Sequence, residues 1–104
     1  MKSTQRKALE RAGWRTGSAD KFLELKSEET ALVNMRLSLA DNLRGRRTKL
    51  GLSQTELAAR LGSSQSRVAK MEAGGADVSL DLLVRAMLNT GASAREVANA
   101  IAAA

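Results

Sequence analysis

Apolar positions along the chain recur at intervals of three and four in several separate stretches, and no stretch alternates in the period of a strand. From Ser27 onward, Leu32, Met35, Leu39 and Leu43 set out one such stripe, with Glu28 and Glu29 in the first turn, where the helix dipole favours acids. They predict a long amphipathic helix ending near Lys49, because Leu50-Gly51-Leu52 supplies a glycine stop. Ser53 and Glu56 then form a capping box, so a short helix is expected over 54–61, with Leu57, Ala58 and Leu61 on its apolar side. Gly62 ends it in the left-handed conformation that glycine adopts without strain. Ser63 or Ser64 caps the next helix, expected over 64–72, whose buried stripe is Val68 and Met71. Its other face carries Gln65, Ser66, Arg67 and Lys70. Ala73-Gly74-Gly75-Ala76 reads as a loop, and Ser79 or Asp77 caps a helix from Leu80 to Asn89. In that helix Leu80, Leu83, Val84, Met87 and Leu88 are mostly core. After Gly91, Ser93 with Glu96 makes a second capping box for a last helix over 94–103.

A turn as short as the one around Gly62 forces its two helices to cross steeply. The residue before the crossing must be small and the turn residue must tolerate unusual backbone angles; Ala58 and Gly62 meet both demands. This is the helix-turn-helix arrangement, in which the second helix lies in the major groove and the first crosses the phosphate backbone. An ordinary helical hairpin shares the apolar spacing and the glycine, but it does not account for a face of Gln, Ser, Arg and Lys.

Composition moves the picture in the same direction. A formal net charge of +6 suits a polyanionic partner, although a basic arm equally suits a membrane, RNA or an acidic protein. Without cysteine there is neither a disulfide nor a thiolate metal site, and without histidine the usual general base and the usual zinc ligand are missing. No cofactor is expected. No apolar run approaches the roughly 20 residues of a membrane span, and the polar start lacks the apolar segment of a signal peptide. The expectation is a cytoplasmic, nucleoid-associated protein with no membrane partner. Proline is absent and Trp14 and Phe22 are the only aromatic residues, so a core of Leu, Val, Met and Ala is expected in an all-α bundle of five helices.

The first 26 residues read as a separate, basic and irregular arm. Gly13 and Gly17 bracket Trp14, and Ser18 can cap a short turn whose apolar residues are Phe22, Leu23 and Leu25. Residues 27–104 then make up the folded domain.

The run from Arg47 to Ala58, followed by Ser64 to Gly74, resembles the XRE/Cro/lambda-repressor-like DNA-binding family over roughly residues 37–89. The resemblance implies a five-helix lambda-repressor-like domain that binds double-stranded operator DNA as a homodimer and represses transcription. It implies that Gln54, at the start of the second helix, grips a phosphate, and that Ser64, Gln65, Ser66 and Lys70 face the DNA. It also implies that Arg47 and Glu72 form a partly buried ion pair, with the arginine near a phosphate.

The residue chemistry agrees on its own terms. Gln65 can pair bidentately with adenine, Lys70 can reach guanine or a phosphate, and Ser66 can serve either base class. Arg67, one step around the helix, is expected to aim either at a base edge or at the backbone. Arg44 and Arg46 read as exposed charges, while Gly74, Gly75 and Ala76 offer the backbone only N–H groups. Ser66 and Lys70 stand four apart, the spacing of a Ser-Lys dyad, but an outward-facing lysine has nothing to lower its pKa, so no enzyme activity is expected.

Two functional readings follow. In one, the protein is a stand-alone dimeric repressor. In the other, the segment from Phe22 to Leu25 ahead of the long helix and the run from Ser64 to Glu72 resemble HigA-like antitoxins, which implies autorepression and neutralisation of a RelE/HigB-like toxin. Trp14, Phe22, Leu23 and Leu25 are either the toxin-binding anchors or packed on the chain's own first helix. The stripe of Val97, Ala98 and Ile101 on the last helix either meets its two-fold mate or closes its own core.

Overall fold

The computed structural model describes residues 27–104; the arm, with Trp14, Phe22, Leu23 and Leu25, lies outside the described residues. Among the described residues there are five helices and no strand: α1 Ser27–Lys49, α2 Gln54–Leu61, α3 Gln65–Ala73, α4 Leu80–Asn89 and α5 Ala94–Ala102. The all-α expectation holds, with small shifts at helix ends. Ser64 is the N-cap of α3 and not its first residue, Ala73 is helical, and α5 stops one residue early.

Caps explain most of these boundaries. Ser53 accepts from the Glu56 N–H while Glu56 accepts from the Ser53 N–H, and Ser93 with Glu96 repeats the arrangement at α5. Of the two candidate caps for α4 it is Ser79 that accepts from the Leu82 N–H. Each such cap contributes about 1 kcal/mol.

α1 is the spine: α3, α4 and α5 all pack against it, while α2 packs on α3 and α4. Leu39, Leu43, Leu57, Val68, Met71, Leu83 and Met87 are almost wholly enclosed and define the centre. The predicted stripe on α1 is corrected at its start. Leu32 is 45% exposed, while Val33 and Ala40 join Leu39 and Leu43 in the buried set. Leu32 shares the face of Leu39 but sits two turns earlier, on a 23-residue helix whose partners span only 9–10 residues. On α4, Leu88 points outward at 48% exposure, and the small Ala86 takes an inward position. Of the two readings of α5, the structure uses its stripe at home: Val97 and Ala100 are buried, Ile101 packs on the core, and Ala98 is exposed. The Ser38 hydroxyl of α1 donates to the Ala100 carbonyl at 2.6 Å and fixes α5 along the spine.

The two capping glutamates carry a pH signature. The Ser53 N–H holds the Glu56 carboxylate below its ordinary pKa, and the Ser93 N–H, then Arg46, does the same for Glu96. A carboxylate whose folded pKa is depressed stabilises the fold above its unfolded pKa of about 4.3, and that contribution disappears as pH falls through the folded value. Urea melts from pH 7 to pH 3 should therefore show stability falling below about pH 4.3. The Glu56→Gln, Glu96→Gln double variant should show a shallower fall; an acid dependence identical to wild type would contradict the assignment.

Candidate nucleic-acid interface

The crossing of α2 and α3 is set by three small residues. Gly62 takes φ +65, Ser63 donates its N–H to the Ala58 carbonyl at 2.8 Å, and Ala58, 3% exposed, lets the helices approach. Ser64 opens α3 by accepting from the Arg67 N–H. With Val68 and Met71 in the core, the helix presents Gln65, Ser66, Arg67 and Lys70 to solvent, and Ser64 is exposed at its start. Sequence reasoning placed all five on the outer side, and the structure brings them together there.

The sides of α3 differ. On the α2 side, a chain of hydrogen bonds links the core to the surface. Arg47 donates through Nε and Nη2 to the two oxygens of Glu72, at 2.6 and 3.1 Å, and through Nη1 to the Leu52 carbonyl at 2.8 Å. The Gln54 Nε2 donates to Glu72 Oε1 at 3.1 Å, and the Gln65 Nε2 donates to Gln54 Oε1 at 2.7 Å. The Glu72 carboxylate, 4% exposed, is acceptor-only when ionised, so it fixes which end of Gln54 faces it and hence which end of Gln65 faces Gln54. The hydrogen bond to Glu72 raises the Arg47 pKa above its ordinary value, burial opposes this, and charge attraction adds to it.

Two expectations change here. Arg46 is not a free exposed charge. Its side chain is 24% exposed, its Nε donates to the Thr90 hydroxyl at 3.0 Å, its Nη2 to the Thr90 carbonyl at 3.2 Å, and its Nη1 to Glu96 at 2.7 Å. Thr90 is itself buried and donates to the Met87 carbonyl at 2.7 Å. Neighbouring arginines at the end of α1 thus grip opposite halves of the domain, Arg47 the α2–α3 pair and Arg46 the α4–α5 junction. The only signal of this in the sequence was Glu96, already accounted for as a cap. Second, the Gly74 and Gly75 N–H groups are not free for a phosphate, because they bond to the carbonyls of Met71 and Lys70 at 3.1 and 3.3 Å. Gly74 is required there by φ +66 and by Leu37, whose Cδ2 lies 2.9 Å from where a Cβ would stand.

The Ser66 hydroxyl lies 3.3 Å from that of Ser64, and Ser66 and Lys70 are both exposed, so their spacing does not form a buried dyad. Arg44 is exposed, as expected. Among the described residues no group of His, Cys, Asp or Glu is placed to hold a metal ion, and no helix is long and apolar enough to cross a membrane.

A family model described as helix-turn-helix matches residues 43–97, more than half of the chain. The chain belongs to the helix-turn-helix family. No curated protein and no solved structure matches it. The matched span of this helix-turn-helix domain contains Arg47, Gln54, Gln65 and Glu72, so the hydrogen-bond chain lies wholly inside the family region.

Within the helix-turn-helix unit, the buried pair makes a sharp stability prediction. Arg47→Met or Glu72→Met leaves one charge enclosed without its partner and should cost about 3–5 kcal/mol in urea unfolding, whereas the double replacement should cost much less than the sum. Additive losses would show that the two charges do not interact.

Proposed function

We propose that this helix-turn-helix protein is a sequence-specific transcriptional repressor that binds double-stranded operator DNA through α3, as a homodimer. The observation that carries the reading is the hydrogen-bond chain ending at Gln65. In this reading the Nε2 hydrogen turned away from Oε1 goes to Gln54, so Gln65 keeps its Oε1 and the neighbouring N–H, a side-by-side acceptor and donor. That edge complements the N6–H and N7 of adenine in the major groove. The fold holds the amide in this orientation before DNA arrives, so little side-chain freedom is lost on binding.

The other exposed groups divide by chemistry. Lys70 reaches a guanine edge or a phosphate, and Ser64 and Ser66 adjust to either base class. Gln54 has its side-chain amide committed to Glu72 and Gln65, so its main role is to align Gln65; the backbone N–H groups of Gln54 and Thr55, ahead of the Glu56 N–H that Ser53 caps, supply the phosphate grip at that helix start. Arg44 adds charge on the same flank. A two-fold dimer would place its recognition helices about 34–36 Å apart on a near-palindromic site. Occupying an operator in this way places the protein's work on the nucleoid. The partnership with a RelE/HigB-like toxin rests on the sequence resemblance and on residues outside the described ones, and it carries no part of the proposal.

Selection from a pool of random duplexes tests the assignment. Wild type should enrich one motif, Gln65→Ala should relax it at a single adenine position in each half-site, and a Lys70 that grips phosphate should lose affinity on Lys70→Ala with the motif intact. An unchanged motif for Gln65→Ala would remove glutamine from the reading.

A further inference from the structure

The flank of α3 opposite Gln65 poses a separate problem. An α-helix about 10–12 Å across nearly fills a major groove about 12 Å wide, so its two sides face the two phosphate backbones. The start of α2 serves one side. On the α4 side the connecting loop is unsuited to the task, since Gly74 and Gly75 have spent their N–H groups on the end of α3 and Asp77 adds negative charge.

Positive charge on that flank comes instead from Arg67 and Arg85. Arg67 stands two positions after Gln65, about 200° around the helix. It lines a cleft of about 270 Å³ together with Arg85 of α4, over an apolar floor of Leu61, Met71 and Leu82. Among the described residues no carboxylate lines that cleft, while a neighbouring one bordered by Arg67 and Lys70 holds Asp77. Arg67 is exposed, and no side-chain partner for it is found among the described residues. Arg85 is held by Asp81 at 3.4 Å, but both side chains are about four-fifths exposed, at 78% and 82%, and such a pair is weak and readily exchanged. Two guanidinium groups bordering one cleft, one of them only loosely held by Asp81, can share an anion, and their planar forks match phosphate oxygens.

We propose that Arg67 and Arg85 form a second phosphate seat, which grips the DNA strand opposite the one held at the start of α2 and replaces the cations missing from the α3–α4 loop. The seat rests on the DNA-binding reading above. It makes Arg67 a backbone contact, not a base reader, and it assigns a DNA role to α4.

The test is the salt dependence of affinity, measured from 50 to 300 mM KCl on a duplex that wild-type protein enriches from a random pool. Each lost phosphate contact should flatten the slope of log Kd against log salt by about 0.9. Arg67→Gln and Arg85→Gln should each do so, the double variant should lose about twice as much, and the enriched motif should stay the same. Arg95→Gln, an exposed charge on α5, should leave the slope near wild type. Thermal melts should match wild type, because both substituted side chains are exposed. A wild-type slope for Arg85→Gln, or a changed motif for Arg67→Gln, would overturn the seat. Failure of wild type to enrich any motif would instead overturn the DNA reading itself.

Discussion

The enclosed ion pair between Arg47 and Glu72 is the interaction on which the rest of this domain depends. It joins the end of α1 to the end of α3, and through the Leu52 carbonyl it also ties down the turn that leads into α2. Three of the five helices are therefore positioned by one guanidinium. The helix dipole supports the arrangement, because Arg46, Arg47 and Lys49 stand in the last turn of α1 where its negative end lies. Arg46 repeats the device on the other side of the spine, with Thr90 and Glu96.

Stability and recognition are linked through the same carboxylate. A buried charge must be satisfied on all its accepting sites, and Glu72 completes its set with the Gln54 amide. That bond orients Gln54, and Gln54 orients Gln65. The Gln65 edge that we propose reads a base is thus a by-product of holding the fold together, and the entropy of ordering a long surface side chain is met during folding and not during binding. On this proposal damage to Arg47 or Glu72 should weaken DNA binding for reasons of fold, so binding assays on those variants are meaningful only per folded molecule.

Much of this was legible in the residues. Ser53 with Glu56, and Ser93 with Glu96, announce helix starts by chemistry that acts within four residues, and the structure confirms both. Ala58, Gly62, Val68 and Met71 likewise specify the helix pair locally, and the outward set from Gln65 to Lys70 follows from helical spacing alone. Most of what sequence reasoning missed depends on contacts distant along the chain. Leu32 shares a face with Leu39 but lies where α1 outruns its partners, and Leu88 falls one step beyond Met87, off the buried face of α4. Arg46 differs from Arg44 by two positions, enough to turn it toward Thr90, whose buried hydroxyl no periodicity reveals. The spent N–H groups at Gly74 and Gly75 are a local matter, set by the left-handed Gly74 that ends α3 and turns both N–H groups back onto its last carbonyls.

The central claim is that the fold's own ion pair presents an ordered glutamine edge to DNA. It is tested most directly by following the side-chain amide resonances of Gln54 and Gln65 by NMR while a duplex of the preferred sequence is added. Both amides should be as rigid as the backbone in the free protein, with order parameters near about 0.85, and the Gln65 resonance should shift on binding while Gln54 keeps its rigidity. Freely averaging amides in the unbound protein, or a Gln65 resonance indifferent to DNA, would contradict it.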